Sequence, residues 1–278
     1  MRSAIVAVAL VAGCAGGVSS LEWMAMGTVA KVSFKGKGDF DRREVCAQVR
    51  ATYEALEARL SVWRPDSEIS RYTSLEAVSD ETRPCYEAAF RLREQSGGVF
   101  NPFWRGKGKG PDLGGIAKGF AVDRAAEGLK GLHGDMLLDL GGNLKVVSGE
   151  WRTGIRDPFG GGGIVRTIVL TNGMACATSG EYERGKHIRD GRTGVPVTND
   201  VASVTVVHPT SAMIADGLST TLFILGREKG EAFLKAHYPE ATAYWVGPAV
   251  PASKLSGGPA GSAVPGTKHQ APTKGDER

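Results

Sequence analysis

The apolar positions along the chain change period several times, and each change marks an element. Residues 23–34 read as a first strand, with the turn-like Met26-Gly27-Thr28 inside it. Asp39 or Asp41 can cap a helix in which Val45, Val49, Tyr53, Leu56 and Leu60 recur at helical spacing. Asp66 or Ser67 can cap a short helix that begins there. Thr82 and Pro84 open a second long helix, which Gly97-Gly98 ends. Residues 114–129 read as a third, running through Ile116, Val122, Ala125 and Leu129. Strand-like segments follow at 136–140, 144–147, 151–155 and 164–170, with Gly141-Gly142 and the 160–163 glycine run supplying turns. A strand at 203–207, helices over about 211–225 and 228–237, and a last segment at 241–246 close the patterned part. Strands interrupted by helices, without regular β-α-β alternation, predict the α+β class.

The two ends follow other rules. Arg2 precedes an apolar run over residues 4–12, too short to span a bilayer, and Val11-Ala12-Gly13-Cys14 resembles a bacterial lipobox. Residues 1–13 are therefore expected to be an export signal of lipoprotein type, with Cys14 as the lipid anchor and 14–20 as a linker; an ordinary secretory signal is the alternative. Residues 248–278, rich in Pro, Gly, Ser, Ala and Lys, lack the apolar content to order themselves and are expected to be a disordered tail. That leaves 21–247 as the globular domain, on the periplasmic side of a bacterial membrane.

Composition narrows the classes further. At 41% hydrophobic and 23% charged, the 278 residues suit one large domain or two intertwined lobes. Setting aside residues 1–13 and 248–278 leaves 29 basic against 28 acidic residues, with no basic stripe, so nucleic acid is excluded as a partner. Cys46, Cys85 and Cys176 have no zinc-site spacing; Cys46 and Cys85 are read either as a bridge or as buried thiols.

Four clusters carry candidate chemistry. PDLGGIAKGFAVD, starting at Pro111, puts paired glycines at a helix start, where main chain approaches a ligand closely and anions are favoured. It is neither a P-loop nor a G-x-G-x-x-G fingerprint. Asp216 and Thr220 are four apart and share a helix face, giving hard oxygens suited to Mg²⁺ held jointly with substrate phosphates; a polar pair on an apolar helix is the plain alternative. Ser179, Tyr182 and Glu181 lie close in sequence to His187-Ile188-Arg189-Asp190, with no G-x-S-x-G elbow to suggest a serine hydrolase. In LSVWRPDSEISR, Trp63 is either core or a flat surface for an aromatic cofactor.

Together these clusters and their order resemble the FAD:protein FMN transferase (ApbE-like) family. The resemblance runs through MGTVAKVSF, LSVWRPDSEISR, GGVFNP, PDLGGIAKGFAVDRA, LLDLGGNLKV, TSGEYER, HIRDGRTGVP and ADGLSTTLFILG, from Met26 to Gly226. It implies an α+β, T-fold-like two-lobed architecture with mixed or antiparallel sheets flanked by helices, FAD bound between the lobes, and a need for Mg²⁺. It implies transfer of FMN from FAD to a threonine or serine hydroxyl of an acceptor protein, expected to be a membrane-associated electron-transfer subunit, with release of AMP. By motif position the metal ligands would be the Gly115 carbonyl, Asp216 and Thr220. Met26, Trp63, Phe100, Asn101, Pro102, Asp112, Lys118, Ser179, His187 and Ile188 would contact FAD, with His187 as acid/base.

Three departures from the family pattern stand out. The segment from Asn101 to Asp112 is short, Asn101 stands where the family commonly has Asp, and Gly191 where it commonly has Pro. Two rival functions stay open: an FAD pyrophosphatase, in which water replaces the protein hydroxyl, and a non-catalytic flavin-binding lipoprotein. The presence of Asp216, Thr220 and His187 speaks against the second. Trp63, an aromatic where the transferases commonly carry Tyr, favours transfer over hydrolysis.

Overall fold

The first apolar run folds as a hairpin, not as one strand. β1 (Val18–Ala25) and β2 (Thr28–Lys35) pair antiparallel, with Ala25 opposite Thr28. Met26 and Gly27, between them, both take positive φ, 48° and 70°, as a tight two-residue hairpin turn requires. The structure, a computed structural model, describes residues 17–106, 108–159, 163–180 and 188–247. Cys14, His187 and the 248–278 tail lie outside the described residues.

Helix α1 (Arg42–Leu60) starts where Asp41 accepts a hydrogen bond from the Arg43 amide at 2.6 Å. Val45, Val49, Tyr53, Leu56 and Leu60 are all buried, so the helical period marks its core face. The expected short helix at 66–67 is a single 3₁₀ turn, Ile69–Arg71, whose Ser70 amide donates to Ser67 Oγ at 3.2 Å. α2 (Arg83–Gln95) carries Pro84 in its first turn, and α3 (Ala117–Gly128) follows the paired glycines. Then come β3 (Asp135–Leu140), β4 (Asn143–Ser148), β5 (Trp151–Arg156), β6 (Ile164–Leu170), β7 (Ala175–Gly180) and β8 (Ser203–His208). α4 (Ala212–Leu225), α5 (Arg227–His237) and β9 (Thr242–Val246) complete the chain order.

Seven strands form one sheet in the order β1-β2-β3-β4-β7-β8-β9, and every pairing in it is antiparallel. The expected α+β class with antiparallel sheets flanked by helices is therefore what the structure has. β7 was not legible as a strand. Its sequence, ACATSG, has none of the bulky β-branched alternation that marks strands; it packs against α4 with Ala175 and Ala177 in the main core.

The period-2 alternation separates the faces of the sheet. Met136, Leu138, Leu140, Ala175, Ala177, Val204 and Val206 join the main core with the helices. Val146, Cys176 and Val207 join a second, smaller core with Trp151, Ile155, Ile168 and Leu170 of the separate β5–β6 hairpin. All three described cysteines are free and buried, and burial pushes the Cys46 and Cys176 thiols up to about 12. Cys46 and Cys85 thus form no bridge. Among the described residues no helix is long and apolar enough to cross a membrane.

Candidate active site

A cleft of about 470 Å³ opens where the start of α3, the last turns of α4, the end of β7 and the loops after α1 and α2 meet. Its floor is built on α4. This helix is buried nearly all round, packed by α3, α5, β7 and β8, which puts Asp216 inside the protein with 5% exposure. A carboxylate so placed needs donors. It has the Gly119 amide at 2.9 Å and the Lys118 ammonium at 3.7 Å, both from the first turn of α3. Burial, with the Asp216 charge adding to it, pushes the neighbouring Cys85 thiol up.

One turn along α4, Thr220 Oγ1 lies 3.4 Å from the Gly115 carbonyl and 3.4 Å from Ser179 Oγ. Ser179 in turn shares a hydrogen bond of 2.8 Å with Ser219. A side chain at Gly115 would stand 3.1 Å from the Phe100 ring and 3.2 Å from Thr220 Oγ1, so glycine is what leaves this carbonyl and hydroxyl free to face each other. Carboxylate, hydroxyl and main-chain carbonyl make a hard oxygen set. Among the described residues no cluster of three or more His, Cys, Asp or Glu side chains could hold a metal. A cation here would complete its shell with water and substrate oxygens, which suits Mg²⁺. The donor chemistry fits that ion.

The other residues singled out in the sequence divide between the cleft and its supports. Trp63, Phe100, Asn101, Asp112, Lys118, Ser179 and Ile188 line the cleft with Gly115, Asp216 and Thr220. Trp63 is 90% exposed, so it is not a core residue. Phe100 belongs to the core and is pinned by its amide, which donates to Ser96 Oγ at 3.1 Å. Met26 and Pro102 are not among the lining residues. The Met26 amide donates to Glu57 at 2.9 Å, and the Pro102 carbonyl accepts from the Asp112 amide at 2.7 Å. His187 lies outside the described residues.

Two of the departures noted in the sequence touch each other. Asn101 Nδ2 donates to the Gly191 carbonyl at 2.8 Å, and the Gly191 amide donates to Val99 at 2.9 Å. A proline at 191 would have no such amide, and any Cβ there would strike Asn101. The short 101–112 segment closes on itself through Arg105, which donates to the Gly110 and Pro111 carbonyls at 3.1 and 3.2 Å. Nearby, the Arg192 guanidinium holds the Asp190 carboxyl below the usual carboxylate range.

Sequence reasoning missed Trp104, Gly141, Asn143, Thr178 and Arg189 as lining residues. Asn143 is 3% exposed, and its Oδ1 has no partner among the described residues, while its Nδ2 donates to the Leu140 carbonyl. Gly141-Gly142 was legible as a turn, but nothing local said that this turn faces a cleft.

The ApbE family pattern matches residues 26–108 and 105–245, nearly all of the described chain. The chain belongs to the ApbE family. The FAD:protein FMN transferase of Haemophilus influenzae is 29% identical over 285 residues, spanning 76% of this chain and 82% of that one. The enzyme of that name from Vibrio cholerae is 29% identical over 308 residues, spanning 85% and 92%. Among solved structures, the flavin transferase ApbE from Vibrio cholerae superposes with a TM-score of 0.69 at 25% identity, covering 83% of this chain and 93% of its own. The apo Pseudomonas stutzeri flavinyl transferase ApbE gives 0.67 at 26%, covering 83% and 91%.

Proposed function

We propose that this protein is an exported, Mg²⁺-dependent transferase that moves FMN from FAD onto a threonine or serine hydroxyl of an acceptor protein and releases AMP. One observation carries the reading: the Gly115 carbonyl, Asp216, Thr220 and Lys118 converge on the floor of a cleft in a chain whose curated relatives are FAD:protein FMN transferases. Phosphoryl-type transfer depends mainly on positioning and on neutralising charge at the phosphates. The Gly115 carbonyl, Asp216 and Thr220 would hold Mg²⁺, and that ion would supply charge neutralisation for the phosphates of FAD. Lys118 and the amides at the start of α3 add positive potential from the protein. The exposed ring of Trp63 offers a stacking face for the isoalloxazine.

In the transfer itself the acceptor oxygen forms a bond to the phosphorus on the flavin side of the pyrophosphate. The bond from that phosphorus to the bridging oxygen breaks, and AMP departs with the bridging oxygen. His187 takes the proton from the incoming hydroxyl. Cys14, lipidated after removal of residues 1–13, tethers the enzyme to the periplasmic side of a membrane, where its acceptor would be an electron-transfer subunit exposed on the same side.

The test uses purified protein, FAD, Mg²⁺ and candidate acceptors in excess, scoring covalent flavin by in-gel fluorescence against AMP released. A ratio near one supports transfer, and AMP without covalent flavin supports hydrolysis. Absence of both, with FAD still bound, would leave the non-catalytic reading standing. His187→Gln should cut transfer by about 10²–10⁴-fold with little change in FAD affinity. Mass spectrometry of the membrane fraction should find acyl mass on Cys14.

A further inference from the structure

α4 bears both side-chain ligands of the metal corner, yet its first turn is held largely from outside the helix. Ser211 caps it in the ordinary way, accepting from the Ile214 amide at 3.1 Å. The Ala212 and Met213 amides instead donate, each at 2.9 Å, to the two carboxylate oxygens of Asp123 in α3. Ser211 Oγ donates to the same carboxylate at 2.7 Å. Lys145 of β4 completes the set, 3.0 Å from Asp123 and bonded also to the Thr210 carbonyl. A carboxylate facing free amides at a helix start is favoured by the helix dipole, and Lys145 offsets the cost of its partial burial.

These contacts are one rung of a ladder. Positions 115, 119 and 123 recur every four residues on and just before α3, and 220, 216 and 212 recur every four on α4 in the opposite sense. Gly115 faces Thr220, Gly119 faces Asp216 and Asp123 holds the Ala212 amide. At the middle rung the two backbones touch: a Cβ on Gly119 would drive into the Ala212 carbonyl and stand 2.8 Å from Asp216 Cβ. The two helices therefore share one register, and only the Asp123 rung fixes it through several directed hydrogen bonds.

We propose that Asp123 is a positioning residue for the metal corner. By pinning the start of α4 against α3, it sets how closely Asp216 and Thr220 approach the Gly115 carbonyl. A helix transmits a shift at its first turn to the next two turns, and a metal shell penalises misplacement of its ligands. The proposal rests on the metal assignment made above.

The test measures Mn²⁺ binding to the full chain in the presence of FAD, from loss of the free-ion EPR signal, with Tm measured alongside. Asp123→Asn keeps the side chain's shape but removes its charge and one acceptor. It should weaken Mn²⁺ about tenfold, the scale of one charge-assisted hydrogen bond, and raise the Mg²⁺ needed for half-maximal rate by a similar factor. The rate at saturating Mg²⁺ should stay within about threefold of wild type, a split that simple loss of folded protein would not produce. Lys145→Met, which spares both the carboxylate and the α4 amides, guards against a poorly folding first variant and should shift Mn²⁺ in the same direction by less. Mn²⁺ affinity unchanged in both variants while Tm falls would overturn the proposal and leave Asp123 as a cap alone. If the wild type itself binds no Mn²⁺ and turns over fully in EDTA, the metal assignment fails first and takes this proposal with it.

Discussion

Asp216 and Trp63 line the same cleft under opposite conditions. Asp216 is 5% exposed, on a helix enclosed on nearly every side, with an amide and an ammonium already in place around it. Trp63 is 90% exposed, on a loop where its own amide makes a long 3.4 Å contact to Ser61 Oγ. The floor is pre-organised: its groups are oriented before any ligand arrives, so they neutralise charge without further ordering. The rim has to be ordered by what it binds, and part of its contact energy offsets that loss of freedom. A chemistry that needs fixed charge and a ring that needs only a surface are placed accordingly.

Variants at the floor should lose chemistry or stability, and variants at the rim affinity. The largest effect is expected from Asp216→Ala. It removes the only carboxylate of the proposed metal set and should lower FMN transfer by about 10³-fold or more, as several kcal/mol of charge stabilisation disappear. Wild-type rates in that variant would break the assignment of the floor as a metal corner.

Next comes the contact between α3 and α4. Gly119→Ala forces a methyl group into the Ala212 carbonyl, so the helices must separate. Overpacking of this kind costs about 1–3 kcal/mol, read as a lowered Tm with a matching loss of metal affinity. An unchanged Tm would mean that the two backbones have room to part.

At the rim, Trp63→Ala should raise the KM for FAD about tenfold, the scale of one aromatic stacking partner, with Tm essentially unmoved. Trp63→Tyr should restore most of the affinity. A fall in Tm comparable to that of Gly119→Ala would erase the distinction between floor and rim.

The smallest effect concerns pH. His208 lies behind the floor, its Nδ1 accepting from the Thr210 and Ser211 amides at 3.2 and 2.9 Å, with Glu240 3.4 Å from Nε2 and Asp123 and Lys145 also nearby. Burial lowers its pKa below the ordinary 6.5, against the pull of Glu240 and Asp123. The unfolded chain therefore takes up the proton first as pH falls. The associated stability is present above about 6.5 and is lost as pH drops through the folded value. Lowering the pH from 7 to 5 should therefore lower Tm, and His208→Gln should lack that component. Equal pH profiles for both proteins would show that His208 does not titrate in this range.

What the sequence determined by itself was local. The five buried positions of α1 follow one helical period, Pro84 and the glycine pairs punctuate the chain, and Asp216 and Thr220 share a face because four residues make about one turn. The family resemblance, carried by ordered motifs, pointed to ten of the residues that now line one cleft. The tertiary structure decided the rest. It made β7 a strand by pairing ACATSG between β4 and β8, against the low strand propensity of its small residues. It made the Asn101 and Gly191 departures into a single contact across ninety positions of chain. It also brought Asp123 to the start of α4, 89 residues away from Ala212. Periodicity reports which way a side chain faces along its own element. Which element it meets depends on how the sheet orders its strands and how closely the helices approach, and those are properties of the packed whole.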